Sequence, residues 1–366
     1  MTMSLLRKAL AAGGMFVLVA ASTTTGAQAP KMTMEADGTL HVPALDVPLS
    51  SYMSPEAKQR FIELAQNPYI HSPRASKLSA SEAVDDWYRT KADHARKVFA
   101  VDVGEDTLGG VRVDVITPKA GVAAGNRSRV LINLHGGGFR NGSRTASVAE
   151  SIPVAAVARI KVVSVDYRMA PAYRLPAASE DVAAVYKALL REYKPRNIGI
   201  YGCSAGGMLT SQTVAWLQKE RLPRPGAIGI FCAGAGASES ARGDSRRFEG
   251  MLDASWQIGA LMYFTPAVSD YFPTEAVNDP LVSPVESPAT LAKFPPTLLI
   301  SGTRDMALSN VVHTHAQLVK AGVEADLHIW DGMGHNFLLE MDLPESKEAY
   351  DVIAAFFRKH LGQAAR

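Results

Sequence analysis

Apolar residues along this chain fall into two alternating kinds of run. Short, nearly unbroken stretches at Val130–Leu134, Lys161–Val165, Ile198–Tyr201, Ala227–Cys232 and Pro296–Ser301 read as strands buried on both faces. Between them, apolar positions recur every three or four residues over Val148–Arg159, Ser179–Tyr193, Met208–Lys219, Ala307–Ala321 and Glu345–Leu361, which predicts helices, with one more strand at Glu324–Trp330. Val98–Val103 and Val111–Ile116 flank Gly109-Gly110 and predict a hairpin. Alternation of this kind specifies an α/β fold with a doubly wound, mostly parallel sheet and helices on both faces. Upstream, Ser54-Pro55-Glu56 supplies a cap, a first-turn proline and an acid for a helix ending near Asn67-Pro68, and Ser79 or Ser81 opens a second that runs to about Lys97. Residues 30–50, polar and Pro-rich, predict an extended arm.

One stretch breaks the rhythm. From about Ala235 to Thr290 no strand is predicted, and Trp256, Tyr263, Phe264, Tyr271 and Phe272 sit among prolines. Together with the N-terminal helices it reads as a helical cap over the carboxyl edge of the sheet, where such sheets bind ligands. The expected division is a leader over 1–29, an arm and cap helices over 30–97, core over 98–234, a cap insertion over 235–290 and further core over 291–366.

Composition narrows the setting. The chain has 366 residues, 47% hydrophobic and 20% charged, with a formal charge of +2 from 38 basic and 36 acidic residues. No basic block stands out, which argues against nucleic acid as a partner. Arg7 and Lys8 precede the apolar stretch Ala9–Ala21, and small residues follow through Ala27-Gln28-Ala29, the layout of a signal peptide. The expectation is an exported protein, periplasmic or secreted. No later apolar run reaches spanning length, so no integral membrane association is expected once the leader is removed. The two cysteines, Cys203 and Cys232, are read as buried free thiols near the ends of two strands.

The candidate chemistry lies at strand ends. In Gly202-Cys203-Ser204-Ala205-Gly206-Gly207 the serine sits where a strand must turn sharply into a helix, which exposes its hydroxyl and aims the next N–H at whatever it attacks. A serine hydroxyl needs a base within reach and an acid to orient that base. Of nine histidines, His335 stands on a loop just past a strand, between Gly332-Met333-Gly334 and Asn336-Phe337. Asp305 follows the strand Pro296–Ser301 and precedes His335 by 335 − 305 = 30 residues, room for one helix and one strand, in the order Ser, Asp, His of α/β-hydrolases. Asp331 is the rival acid, too near His335 in sequence to reach it comfortably. In His135-Gly136-Gly137-Gly138-Phe139 the glycines let the backbone approach closely, so the N–H groups of Gly137 and Gly138, with that of Ala205, are candidates for an oxyanion hole. There is no G-K-[ST] and no G-x-G-x-x-G opening a helix, which argues against a nucleotide. His313 and His315 share a helix without a third ligand, so they are read as surface histidines rather than a metal site.

His135–Phe139, Tyr167-Arg168-Met169-Ala170-Pro171, Leu175-Pro176-Ala177-Ala178 through Asp181, Gly202–Gly207, Phe294-Pro295-Pro296-Thr297, Asp305 and Gly334-His335 together resemble the hormone-sensitive-lipase family of esterases, over about residues 40–362. The resemblance implies an α/β-hydrolase core with a helical cap, no cofactor, and hydrolysis of small-molecule carboxylic esters, with short or medium acyl groups. It implies Ser204 as nucleophile, His335 as base, Asp305 as its partner, Gly137, Gly138 and Ala205 as oxyanion hole, and His135 as support of that loop. Two positions depart from the family pattern: Cys203 replaces the usual aspartate, and Met306-Ala307 replaces Pro-Leu after Asp305. A lactone hydrolase or a deacetylase of sugars or natural products would use the same groups. A non-catalytic binding protein on the same scaffold is the alternative of a different class, and a homodimer is left open.

Overall fold

The computed structural model describes residues 32–44, 46–237, 243–245, 252–253, 270–273, 276 and 278–363. The leader and most of the expected cap insertion, including Trp256, Tyr263 and Phe264, lie outside them. The chain divides into two compact units, Met1–Pro48 and Leu49–Arg366. In the first, Thr33–Met34 and Leu40–His41 pair antiparallel, so the expected extended arm carries a small hairpin. A turn at 36–39 with Gly38 at φ 89° closes it.

In the second unit eight strands form one sheet: β1 (Val101–Leu108), β2 (Val111–Pro118), β3 (Val130–Leu134), β4 (Lys161–Val165), β5 (Ile198–Cys203), β6 (Ala227–Phe231), β7 (Thr297–Arg304) and β8 (Ala325–Gly334). Their spatial order is β8-β7-β6-β5-β3-β4-β2-β1. β1 and β2 join antiparallel at one end, and the other six run parallel. The helices are α1 (Pro55–Gln66), α2 (Ala80–Val98), α3 (Ala146–Ala158), α4 (Ala177–Leu189), α5 (Ala205–Lys219), α6 (Leu308–Lys320) and α7 (Pro344–His360), with shorter turns between them.

The strand alternation divides the core into two layers. In β3, Val130, Ile132 and Leu134 face one layer with Val182 of α4 and Leu209 of α5, while Leu131 faces the other with Ile152 of α3 and Phe357 of α7. All five side chains of β3 are buried, and burial of each such aliphatic contributes roughly 1.5–3 kcal/mol. Because β3, β5, β7 and β8 run the same way, Leu134, Cys203, Arg304 and Gly334 end at one edge of the sheet. The next residues in the chain are His135, Ser204, Asp305 and His335.

Both helix-start signals of the N-terminal region act as the sequence predicts. Ser54 accepts from the Ala57 N–H at 3.0 Å, and Ser79 forms a reciprocal capping box with Glu82. The strand expected to stop at Trp330 continues to Gly334 across a register shift between those residues, with Gly332 at φ 77°. Such an irregularity bends the strand and re-aims the side chains beyond it. Here it redirects His335.

Candidate active site

Ser204 sits between β5 and α5 with φ 58° and ψ −122°, a conformation side chains rarely adopt. Its surroundings over-determine it. A Cβ at Gly206 would lie 1.7 Å from the Leu134 carbonyl oxygen, and one at Gly202 2.2 Å from the same atom. The end of β3 therefore presses on the turn, and only glycine fits on both sides of the serine. The Ser204 N–H donates to the Phe231 carbonyl of β6 at 2.9 Å.

Ser204, His335 and Asp305 come together as the sequence predicts. Ser204 Oγ lies 2.9 Å from His335 Nε2, and His335 Nδ1 lies 2.7 Å from Asp305 Oδ1. Asp305 is fully buried and accepts from the Ala307 N–H at 2.9 Å and from Ser301 Oγ at 2.8 Å. Burial pushes its pKa up, but His335 and these donors outweigh that and hold it below the usual carboxylate value. Burial pulls the imidazole down, yet the Asp305 charge and hydrogen bond, with help from Asp253 and Glu150, bring it above 6.5. Asp331, the rival acid, points elsewhere. It accepts from Thr303 Oγ1 at 2.9 Å and from Ser50 Oγ.

The loop after β3 supplies the candidate oxyanion donors. Gly137 and Gly138 have φ 116° and 65°, and a Cβ at Gly137 would lie 2.0 Å from the Asn141 carbonyl oxygen. Among the described residues, the N–H groups of Gly137, Gly138 and Ala205 have no hydrogen-bond acceptor. Ala205 is the first residue of α5, where the intrahelical partner is missing anyway. His135 braces this loop: its ring stacks on Tyr167 at 4.4 Å, its Nδ1 is 2.7 Å from Gly136 O, and its carbonyl accepts from Tyr167 OH at 2.7 Å. Full burial lowers its pKa and keeps it neutral. Next to it, Phe139 stacks on Tyr271 at 4.5 Å and meets Phe272 edge-on at 5.1 Å. These two aromatics of the expected insertion are thus packed into the loop itself.

Three contributors carry little or no sequence signal. Asp253 accepts the His335 backbone N–H at 2.7 Å, and its carboxylate occupies the space a Cβ at Gly334 would need. Nothing in a strandless segment marks one aspartate among several. Ser301 stands in the sequence only as the end of a strand, although a hydroxyl four residues before the acid is a detectable hint. Glu150, on α3, is buried and accepts the Gly136 N–H at 3.0 Å and Asn133 Nδ2 at 3.4 Å. Beside His335 opens a cavity of about 490 Å³, open mouth included, lined by Met53, Phe61, Leu64, Trp87, Met333 and Phe337 among others.

The remaining candidates stay apart from this chemistry. Cys203 and Cys232 are buried free thiols at the ends of neighbouring strands, with Cys203 in register with Phe231. Burial raises both pKa values. His315 Nε2 is 3.2 Å from the Ala325 carbonyl, and His313 is exposed on the same helix. Among the described residues no group of three His, Cys, Asp or Glu could hold a metal, and no helix is long and apolar enough to cross a membrane.

Comparison with known proteins agrees with the geometry. The family model described as alpha/beta hydrolase fold matches residues 131–339. An esterase of Acinetobacter venetianus is 29% identical over 253 residues, 68% of this chain and 79% of that protein. The crystal structure of an esterase E25 superposes with a TM-score of 0.75 at 30% identity, covering 88% of this chain and 98% of the other. An esterase from the bacterial hormone-sensitive lipase family superposes at 0.71 with 27% identity, over 84% and 99%. With the match spanning more than half its length, this chain belongs to the α/β-hydrolase fold family, among its hormone-sensitive-lipase-like esterases.

Proposed function

We propose that this protein is an exported carboxylesterase that cleaves short- to medium-chain esters through an acyl-enzyme on Ser204. That it is a serine hydrolase of carboxylic esters follows from its family. The residue roles rest on one observation above all: Ser204 Oγ, His335 Nε2, His335 Nδ1 and Asp305 Oδ1 form a continuous hydrogen-bonded line with 2.9 and 2.7 Å steps. His335 takes the Ser204 proton as the oxygen attacks the ester carbonyl. The charge that develops on the carbonyl oxygen is met by the N–H groups of Gly137, Gly138 and Ala205, and one such donor typically contributes about 3 kcal/mol. His335 then gives the proton to the leaving alcohol and draws one from water, whose oxygen attacks the acyl carbon; the proton taken from water passes back from His335 to Ser204 Oγ as the acid leaves. Buried Asp305 stays ionised and stabilises the imidazolium that forms at each step.

The acyl-chain length rests on the resemblance to hormone-sensitive-lipase-like esterases, and the layout of residues 1–29 supports export. Initial rates on p-nitrophenyl acetate, butyrate, octanoate and palmitate, measured for wild type and Ser204→Ala, test the first part. The reading expects rates highest at two to eight carbons and lost in the variant. Equal rates in both proteins would remove Ser204 from the mechanism, and a maximum at palmitate would overturn the chain-length assignment. N-terminal sequencing of protein recovered outside the cytoplasm tests the second. Protein found only in the cytoplasm, still starting at Met1, would contradict it.

A further inference from the structure

Glu150 is a carboxylic acid with no part in the scheme above, placed under both loops that carry it out. It projects from α3 with one oxygen on the Gly136 N–H, between His135 and the candidate oxyanion glycines. The Asn133 side chain donates to the other at 3.4 Å and is itself fixed by Ser164 Oγ, which donates to Asn133 Oδ1 at 2.6 Å. Asn336, the residue after His335, lies near enough to draw down the pKa of the same carboxylate. A Cβ at Gly136 would touch Glu150 Oε1 at 3.1 Å, which leaves the loop no slack on that side.

We propose that Glu150 is a positioning residue for the hydrolysis, its carboxylate holding the oxyanion loop by the Gly136 N–H and setting a negative charge beside the His335 loop. The inference rests on the roles assigned to Ser204 and His335 above. Two donors, one from β3 and one from the oxyanion loop, converge on this group, and an anion accepts them better than a neutral acid or amide does. The same charge favours the protonated form of His335.

The site is an expensive place for a charge. Glu150 lines a small, mostly apolar cavity with Tyr201, Cys203, Phe231, Leu338 and Tyr350. The titratable groups around it are Tyr88 of α2, Tyr201 and Cys203 of β5, Tyr167, Cys232, His335 and Tyr350 of α7. No lysine or arginine lines the cavity among the described residues. Burial accordingly pushes the carboxyl pKa up to about 7, against the pull of Gly136, Asn133 and Asn336. A carboxyl raised from 4.5 to about 7 on folding stabilises the folded state only while protonated. That contribution is lost as pH rises to 7, so the ionised form works at the expense of stability. A group kept for packing alone would show no such conflict.

The experiment compares wild type, Glu150→Gln, Glu150→Asp and Ser204→Ala on p-nitrophenyl butyrate from pH 5 to 9, with Tm at each pH. Since kcat/KM reports the free enzyme, its acid limb in wild type should be steeper than a slope of one over about one pH unit, where protonation of Glu150 adds its about ten-fold loss to that from His335. Glu150→Gln should lower kcat about ten-fold with KM within two-fold, as a small misplacement of reacting groups does. Its acid limb should fall to a slope of one, and Glu150→Asp should restore the steeper limb. The Tm difference between Glu150→Gln and wild type should move in the variant's favour from pH 5 to pH 8. A wild-type slope of one, or a folded Glu150→Gln enzyme with unchanged kcat and pH profile, overturns the proposal. The wild-type slope decides the matter even if Glu150→Gln fails to fold. Activity that survives in Ser204→Ala would instead sink the site reading on which this one stands.

Discussion

Ser204 is held by backbone shape: the Leu134 carbonyl crowds Gly202 and Gly206, and β6 accepts the serine N–H. His335 is held by charge: Asp305 is on its ring at 2.7 Å and Asp253 on its N–H at 2.7 Å. The serine side excludes everything larger than hydrogen. The histidine side would accept neutral groups of the same shape and lose only their electrostatics. Substitutions on the first side should therefore fail in folding, and those on the second in rate and pH dependence.

The largest effect should come from Gly206→Ala. A carbon 1.7 Å from a backbone oxygen forces β3 and α5 apart, so the expected result is no measurable esterase activity and a Tm lower by about 10 °C, read by calorimetry and initial rates. A fully active, equally stable variant would mean the turn is not held by exclusion. Asp305→Asn keeps the volume and removes the charge. It should lower kcat by about 10⁴-fold, the scale seen when a triad acid becomes an amide, with circular dichroism unchanged.

Smaller effects should come from the carboxylate on the histidine backbone. In wild type, His335 must be neutral to act as base and its pKa is raised, so kcat/KM should fall off through a midpoint above pH 6.5. Asp253→Asn should move that midpoint down by a few tenths of a unit and lower kcat several-fold, since one of the charges favouring the imidazolium is gone. An unmoved midpoint would make Asp253 a structural tether only. Smallest of all, Cys203→Ala should leave kcat within two-fold and cost about 1 kcal/mol in urea unfolding, because the buried thiol adjoins Ser204 without serving it.

The same contrast explains which parts of the site are legible in the sequence. Exclusion works between near neighbours in the chain or across one strand pair, so Gly202 and Gly206 announce the serine turn at fixed spacing. Strand-end positions and the 30-residue interval likewise bring out Asp305 and His335. The strands at Val130–Leu134 and Lys161–Val165 match the expected bounds because every side chain in the first and nearly all in the second are buried. Charge acts across any sequence distance. Asp253 lies 82 residues from the N–H it accepts, and Glu150 14 residues from its own. Neither partner set has a spacing to read. The extension of β8 to Gly334 escapes the pattern for another reason: Asp331 and Gly332 interrupt the apolar run, while pairing with β7 resumes at Arg304 beyond the irregularity.

The aromatic seat of Phe139 sets a boundary for anyone who wishes to exchange parts. Tyr271 stacks on Phe139 and Phe272 meets it edge-on, Tyr271 OH takes the Ala178 N–H at 2.9 Å, and Asp270 pairs with Arg140 at 2.9 Å. Residues 270–272 therefore belong, mechanically, to the floor of the site. A chimera that imports a foreign segment for 254–269 leaves that floor, and Asp253 on the His335 N–H, in place. One that runs on to 290 takes out a wall of the oxyanion loop and would confuse a change of substrate preference with a broken foundation.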